Sequence, residues 1–175
     1  MLLLFLNKLR IKKVKDYIKQ NGNGLYLDIQ HIGCFFRAAC HMAELQAQKE
    51  GGRSCLTVEE INRIWDYSKR LRYVDANNCV TTSAPIANLA GNILKLRGKF
   101  NEVALLVAGE INWYGSVQKN QRHAEYFIQK MKQNGPSGTH FVNVDQTGEL
   151  LWDPHEPAIN NRGIIYTICY KYEEM

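Results

Sequence analysis

The sequence predicts an α+β fold, and three observations carry that prediction. Helical periodicity fills the N-terminal half, strand-like runs fill the C-terminal half, and no linker or internal repeat divides them. The 175 residues, 45% hydrophobic and 22% charged, describe one domain over 1–175, helical to about residue 98 and sheet-forming from about residue 100. A chain of this length buries roughly 70% of the surface it exposes when unfolded, so its core needs no disulfide or metal staple.

The helices follow in order. Leu4, Leu9, Ile11, Val14 and Ile18 recur at loosely helical intervals, and Asn21-Gly-Asn-Gly24 stops that run with residues that tolerate positive φ. A new element begins after Gly24. From Cys34 to about Lys49, Phe35, Ala38, Ala39, Met42 and Leu45 form one apolar stripe, with Glu44, Gln46, Gln48 and Lys49 mostly away from it, and Gly51-Gly52 ends the helix. Thr57-Val-Glu-Glu60 is a capping box with Leu56 and Ile61 placed for a hydrophobic staple, which predicts a helix over 58–71. Ser83-Ala-Pro85 opens a further helix through a capping serine and an early proline, and Ile86, Leu89, Ile93 and Leu96 supply its buried stripe.

After Phe100 the texture changes. Runs at 103–108, 110–114, 140–144, 150–153 and 164–172 are rich in strand-forming residues, while 126–131 is ambiguous. Tyr166, Ile168, Tyr170 and Tyr172 alternate along the last of these, which suits packing against a helix or sheet layer.

Composition narrows the function. The five cysteines, Cys34, Cys40, Cys55, Cys79 and Cys169, are odd in number and contain no Cys-x-x-Cys pair, which argues against a complete disulfide framework or a zinc ribbon. The apolar N-terminal run is six residues long, too short for a signal-peptide core or a membrane span, so the expectation is a cytoplasmic protein, with release by lysis compatible with the same sequence. The net charge of +5 owes much to Lys8, Arg10, Lys12, Lys13 and Lys15, which is better read as a solvated helix face than as a nucleic-acid surface. No Gly-rich phosphate loop and no Gly-x-Ser-x-Gly elbow is present.

Two segments carry chemistry. Asp28-Ile-Gln-His-Ile-Gly-Cys-Phe-Phe-Arg37 puts Cys34 at a helix start, where unpaired amides and the positive end of the helix dipole favour a thiolate. Those amides and the side-chain amide of Gln30 suit an oxyanion. A small buried residue beginning an apolar helix is the other explanation. The second segment, Thr139 to Pro154, is expected to form a hairpin turning at Asp145-Gln-Thr-Gly148. A two- or four-residue loop makes paired numbers sum to 293 and sets His140 opposite Asp153, whereas a three-residue loop pairs His140 with Pro154. That His–Asp contact suits a carboxylate orienting an imidazole, and equally a charge-assisted pair on a strand surface.

Gln30, Gly33-Cys34 opening a helix, Gly138-Thr-His-Phe-Val142 and Trp152-Asp-Pro154 together resemble the papain-like cysteine peptidase superfamily, closest to its bacteriocin-leader (double-glycine) peptidase branch. The Gly-Cys-Phe segment is also similar to uncharacterised phage and spirochaete proteins. The peptidase resemblance spans 28–154 and implies a papain-like fold, Cys34 as nucleophile, His140 as general base and acid, Asp153 as orienting residue and Gln30 as oxyanion donor. Gln30 stands four residues before Cys34, closer than the pattern usually has it, and bulky Phe35 follows where a small or polar residue is common.

A zinc site at His31, Cys34, Cys40 and His41 meets a geometric objection, because Cys34 and His41 would stand about 10 Å apart along a helix axis. His31, His41, His123 and His155 are assigned to surface or satisfied core positions, with His155 the rival to His140 as base. Trp113 and Trp152 suit either a cleft wall or the core, and Arg37 a salt bridge before a substrate carboxylate. The expectation is therefore a thiol peptidase or amidase acting on a peptide or protein, cell-wall peptide included. It requires no cofactor or metal, and neither nucleic acid nor membrane is expected as a partner. Acyl transfer to an amine would use the same residues, and the contrasting expectation is a catalytically inactive papain-like scaffold serving as a phage-type binding or structural protein.

Overall fold

A computed structural model describes residues 16–133, 138–156 and 161–175. Within them the order is α1 (Leu27–Ile32), α2 (Cys34–Lys49), α3 (Val58–Arg70), α4 (Ala84–Leu94), β1 (Gly98–Val107), β2 (Glu110–Trp113), β3 (Tyr126–Gln133), β4 (Thr139–Val144), β5 (Leu150–Trp152) and β6 (Asn161–Glu174). The strands form one antiparallel sheet in the order β2-β1-β6-β3-β4-β5. The architecture is α+β, with the helices first in the chain and the strands last. No described helix is long and apolar enough to cross a membrane.

The predicted N-terminal helical run lies outside the described residues up to Lys15, and Ile18 sits in an irregular segment. The short helix α1 was missed, since six residues offer too little periodicity to detect. The capping box forms as expected: Thr57 Oγ1 accepts from the Glu60 amide at 3.2 Å and Glu60 Oε2 from the Thr57 amide at 2.9 Å. Leu56 and Ile61 are both buried beside it. Ser83 precedes α4, but its hydroxyl lies 2.5 Å from the Tyr170 hydroxyl and makes no cap, so a tertiary partner has displaced the local one.

The core lies between the helices and one face of the sheet. Phe36, Met42, Ile61, Ile64, Trp65 and Ile86 meet Phe100, Ile128, Ile168 and Tyr170 there. β6 is flanked by β1 and β3, which places the alternating Ile168, Tyr170 and Tyr172 in this core. Helix α2 is buried nearly all round, Glu44 and Gln46 included, so the expected polar side is itself interior.

The β4–β5 pairing departs from the expected register. Trp152 stands opposite Asn143 where Leu150 was expected, and Leu150 stands opposite Val144 where Glu149 was expected, with an irregularity between the two pairs. Asp153 falls just beyond β5 and is not the ladder partner of His140. The turn explains the slip. Asp145 Oδ1 accepts from the amides of Thr147 and Glu149 and from the Thr147 hydroxyl, closing an Asx-type turn around Gly148 at φ +87° that no simple two- or four-residue loop provides.

Candidate active site

Cys34 is the first residue of α2, and its placement depends on Gly33. A Cβ at position 33 would stand 2.4 Å from the Ile29 carbonyl oxygen, so only glycine lets the end of α1 abut the start of α2. The first amides of α2 have no partner within their own helix, as at any helix start. Cys34 is partly exposed and lines a cleft of about 680 Å³ together with His140.

His140 is the hub. Its Nε2 lies 2.7 Å from Asp153 Oδ1, and the same ring is in hydrogen-bond and Coulombic contact with the Cys34 side chain. With Nε2 committed to Asp153, Nδ1 is the nitrogen left for the sulfur. Burial opposes charge on this ring, but Asp153 and Cys34 outweigh it and raise the His140 pKa to about 9. These contacts favour the imidazolium form of the ring at neutral pH.

Asp153 is held from several sides. Its Oδ1 also accepts from the His155 amide at 2.9 Å, its carbonyl accepts from Lys19 Nζ at 2.5 Å, and the next carbonyl, that of Pro154, accepts from the Gln20 amide at 2.6 Å. Asn21 continues the strap, exchanging side-chain hydrogen bonds with the backbone of Glu156. Residues 19–21 thus run beside 153–156 and fix the acid after β5 has ended.

That strap also decides which glutamine reaches the cleft. Gln30 Nε2 donates to the Leu25 carbonyl at 2.7 Å, and Gln30 does not line the cleft. Gln20 does line it, buried, with Nε2 donating one hydrogen bond to the Gln30 carbonyl at 3.2 Å and Oε1 without a partner among the described residues. Cys34, His140 and Asp153 are therefore brought together, while Gln30 is bonded away from the cleft and Gln20 lines it. No local spacing identifies Gln20, because its position depends on pairing with a segment some 130 residues away in sequence.

Behind Asp153, Trp152 stacks on His41 with ring centroids 4.1 Å apart, and Arg37 and Lys19 lie over its ring. Arg37 is wholly buried, donating to Glu44 at 3.2 Å and to the Ile18 carbonyl. His41 Nδ1 lies 3.0 Å from the same Glu44 oxygen, and the Leu56 amide donates to the other. Burial opposes ionisation of Glu44, yet Arg37, His41 and Leu56 together hold its carboxyl below the ordinary value, while burial pushes His41 down. His41 is thus a core histidine satisfied by an acidic partner at i+3, a spacing visible in the sequence. Neither Trp152 nor Trp113 lines the cleft.

Among the described residues, no three His, Cys, Asp or Glu side chains are grouped to hold a metal ion. A separate concavity of about 400 Å³ beside Asn88, Glu102 and Glu173 contains neither cysteine nor histidine. Comparison with protein-family models, with curated proteins and with solved structures finds no match to this chain.

Proposed function

We propose that the chain is a papain-like thiol hydrolase that cleaves a peptide or amide bond through an acyl-enzyme on Cys34. The observation that carries this reading is His140, whose Nε2 is bonded to a buried carboxylate while the ring also engages a partly exposed cysteine at a helix start. A retained but inactive scaffold has no need of a cleft opening on that sulfur.

The chemistry follows from these positions. The Cys34 thiolate attacks the carbonyl carbon, and the resulting oxyanion receives the Cys34 amide hydrogen and the second Nε2 hydrogen of Gln20. As the tetrahedral adduct collapses, the imidazolium of His140 gives its proton to the departing amine. Neutral His140 then takes a proton from water, whose oxygen attacks the thioester; the acid product leaves and the thiolate–imidazolium pair is restored. Asp153 holds the Nε2 proton throughout and keeps the ring oriented.

The test is incubation of the purified chain with a complex peptide mixture, reading new N-termini by mass spectrometry against Cys34→Ala. Cleavage that disappears in the variant, with its unfolding transition unchanged, supports the reading. Equal cleavage by both proteins, or none by either, overturns it.

A further inference from the structure

The cleft is one-sided in charge. Among its described lining residues there is no aspartate or glutamate, and the one ammonium is that of Lys130. Asp153 is buried behind His140, so its charge is spent on the imidazolium and on the His155 amide. The polar remainder of the wall is neutral or basic, with Gln20, Asn77, Asn78 and Gln133 offering amides and His31 and His155 imidazoles.

Lys130 is held where this charge counts. On the sheet it pairs with Phe141 of β4 on one side and Tyr166 of β6 on the other, so the three side chains share a face. Its Nζ lies 5.5 Å from the Phe141 ring centre and 5.3 Å from that of Tyr166, and among the described residues it makes no ion pair. Phe35, which follows Cys34 directly, stacks on Phe141 at 4.1 Å with the planes 3° apart. These two contacts keep the ammonium within roughly 10 Å of the Phe35 ring, in a row that begins beside the nucleophile. The same stack explains the bulky residue after the cysteine: Phe35 braces the cationic wall.

We propose that Lys130 is a specificity determinant for an anionic substrate, a peptide or amide with a carboxylate one or two residues from the scissile bond. This rests on the thiol-hydrolase reading of Cys34 and adds what that site accepts. An extended residue spans about 3.3–3.6 Å, so a carboxylate at that separation reaches the wall while its carbonyl sits at the sulfur. Aromatic contact holds the ammonium without neutralising it, leaving its charge for a ligand. An acidic side chain and a free C-terminus offer the same carboxylate.

Three bromoacetyl probes separate these sources on the full chain: bromoacetyl-glutamine amide, which is neutral, bromoacetyl-glutamate amide, with a side-chain carboxylate, and bromoacetyl-glutamine, with an α-carboxylate. Alkylation of Cys34 is followed by peptide mapping, each rate being divided by that of N-acetylcysteine with the same probe. At low ionic strength at least one anionic probe should outpace the neutral one by about threefold or more. The faster one names the source. Lys130→Met should erase the advantage with the neutral rate within about twofold, Lys130→Arg should keep most of it, and added salt should shrink it. A normalised anionic-to-neutral ratio that is the same in wild type and Lys130→Met overturns the assignment to Lys130. A Cys34 inert even to the neutral probe instead removes the thiol reading on which the inference rests.

Discussion

His140 Nε2 lies 2.7 Å from Asp153 Oδ1 although the β4–β5 ladder does not pair the two residues. The contact survives the register shift because the strap at Lys19–Asn21 positions the acid after its strand has ended. Its energetic consequence is a pH dependence on the alkaline side. Folding raises the histidine from an ordinary 6.5 to about 9, so the stability it contributes is fully present below pH 6.5 and is lost as pH rises through about 9. The difference between those limits is on the order of 3 kcal/mol. Denaturant unfolding at pH 6, 7.5 and 9.5 should show that decline in wild type and a flatter profile in Asp153→Asn. An identical slope in both proteins would place the alkaline loss elsewhere.

The two glutamines make opposite predictions. Gln20→Ala should lower kcat by roughly 10²-fold while Cys34 alkylation continues at its wild-type rate, because an oxyanion donor acts on the adduct and not on the thiolate. Gln30→Ala should leave kcat within about threefold and destabilise the fold by about 1 kcal/mol through loss of its bond to Leu25. Steady-state kinetics beside thermal melts would decide, and the reverse pattern would return the role to Gln30.

The placement of these two glutamines shows where local sequence pattern stops being informative. Helix α2, the capping box at Thr57 and the alternation along β6 were legible because each depends on local period or local hydrogen bonding. Cys34 was legible because Gly-Cys before an apolar run marks a helix start, and the His140–Asp153 contact followed from a hairpin whose assumed register was off by one to two residues. The bulged Asx turn conceals that offset from any counting of loop length. Gln20 and the burial of Glu44 were not legible. Both depend on segments far apart in sequence, the strap on 153–156 in one case and the packing of Arg37, His41 and Leu56 around a carboxylate in the other.

Four of the five thiols should react in a set order. Burial pushes Cys40 up to about 12 and Cys169 up to about 11, so both should resist iodoacetamide in the folded protein. Cys79 is exposed, lines the same cleft and does not begin a helix, so it serves as the reference for access alone. Cys34 should react at least about tenfold faster than Cys79 near neutral pH and fall to a comparable rate in His140→Ala. Peptide mapping across pH 5–9 reads all five in one sample, and an unchanged Cys34 rate in that variant would mean that the ring does not sustain the thiolate.

The buried Arg37–Glu44–His41 cluster should act on the site from behind. Glu44→Gln removes the charge that compensates Arg37, whose guanidinium is inaccessible to solvent, and should cost about 3–5 kcal/mol in denaturant unfolding. The corresponding change at Glu59, exposed in the first turn of α3, should stay within about 0.5 kcal/mol. Because the Glu44 carboxyl is held below its ordinary value of 4.5, the wild-type contribution is present above that pH and is lost as pH falls through the depressed value; Glu44→Gln should lack this acid-side loss. Arg37 and His41 both pack on Trp152, the neighbour of Asp153, so the variant should also lower the His140 pKa by loosening the carboxylate that sustains it. Following the His140 ring by NMR titration separates the two effects: a destabilised variant whose His140 still titrates near 9 would show that the cluster supports the fold alone.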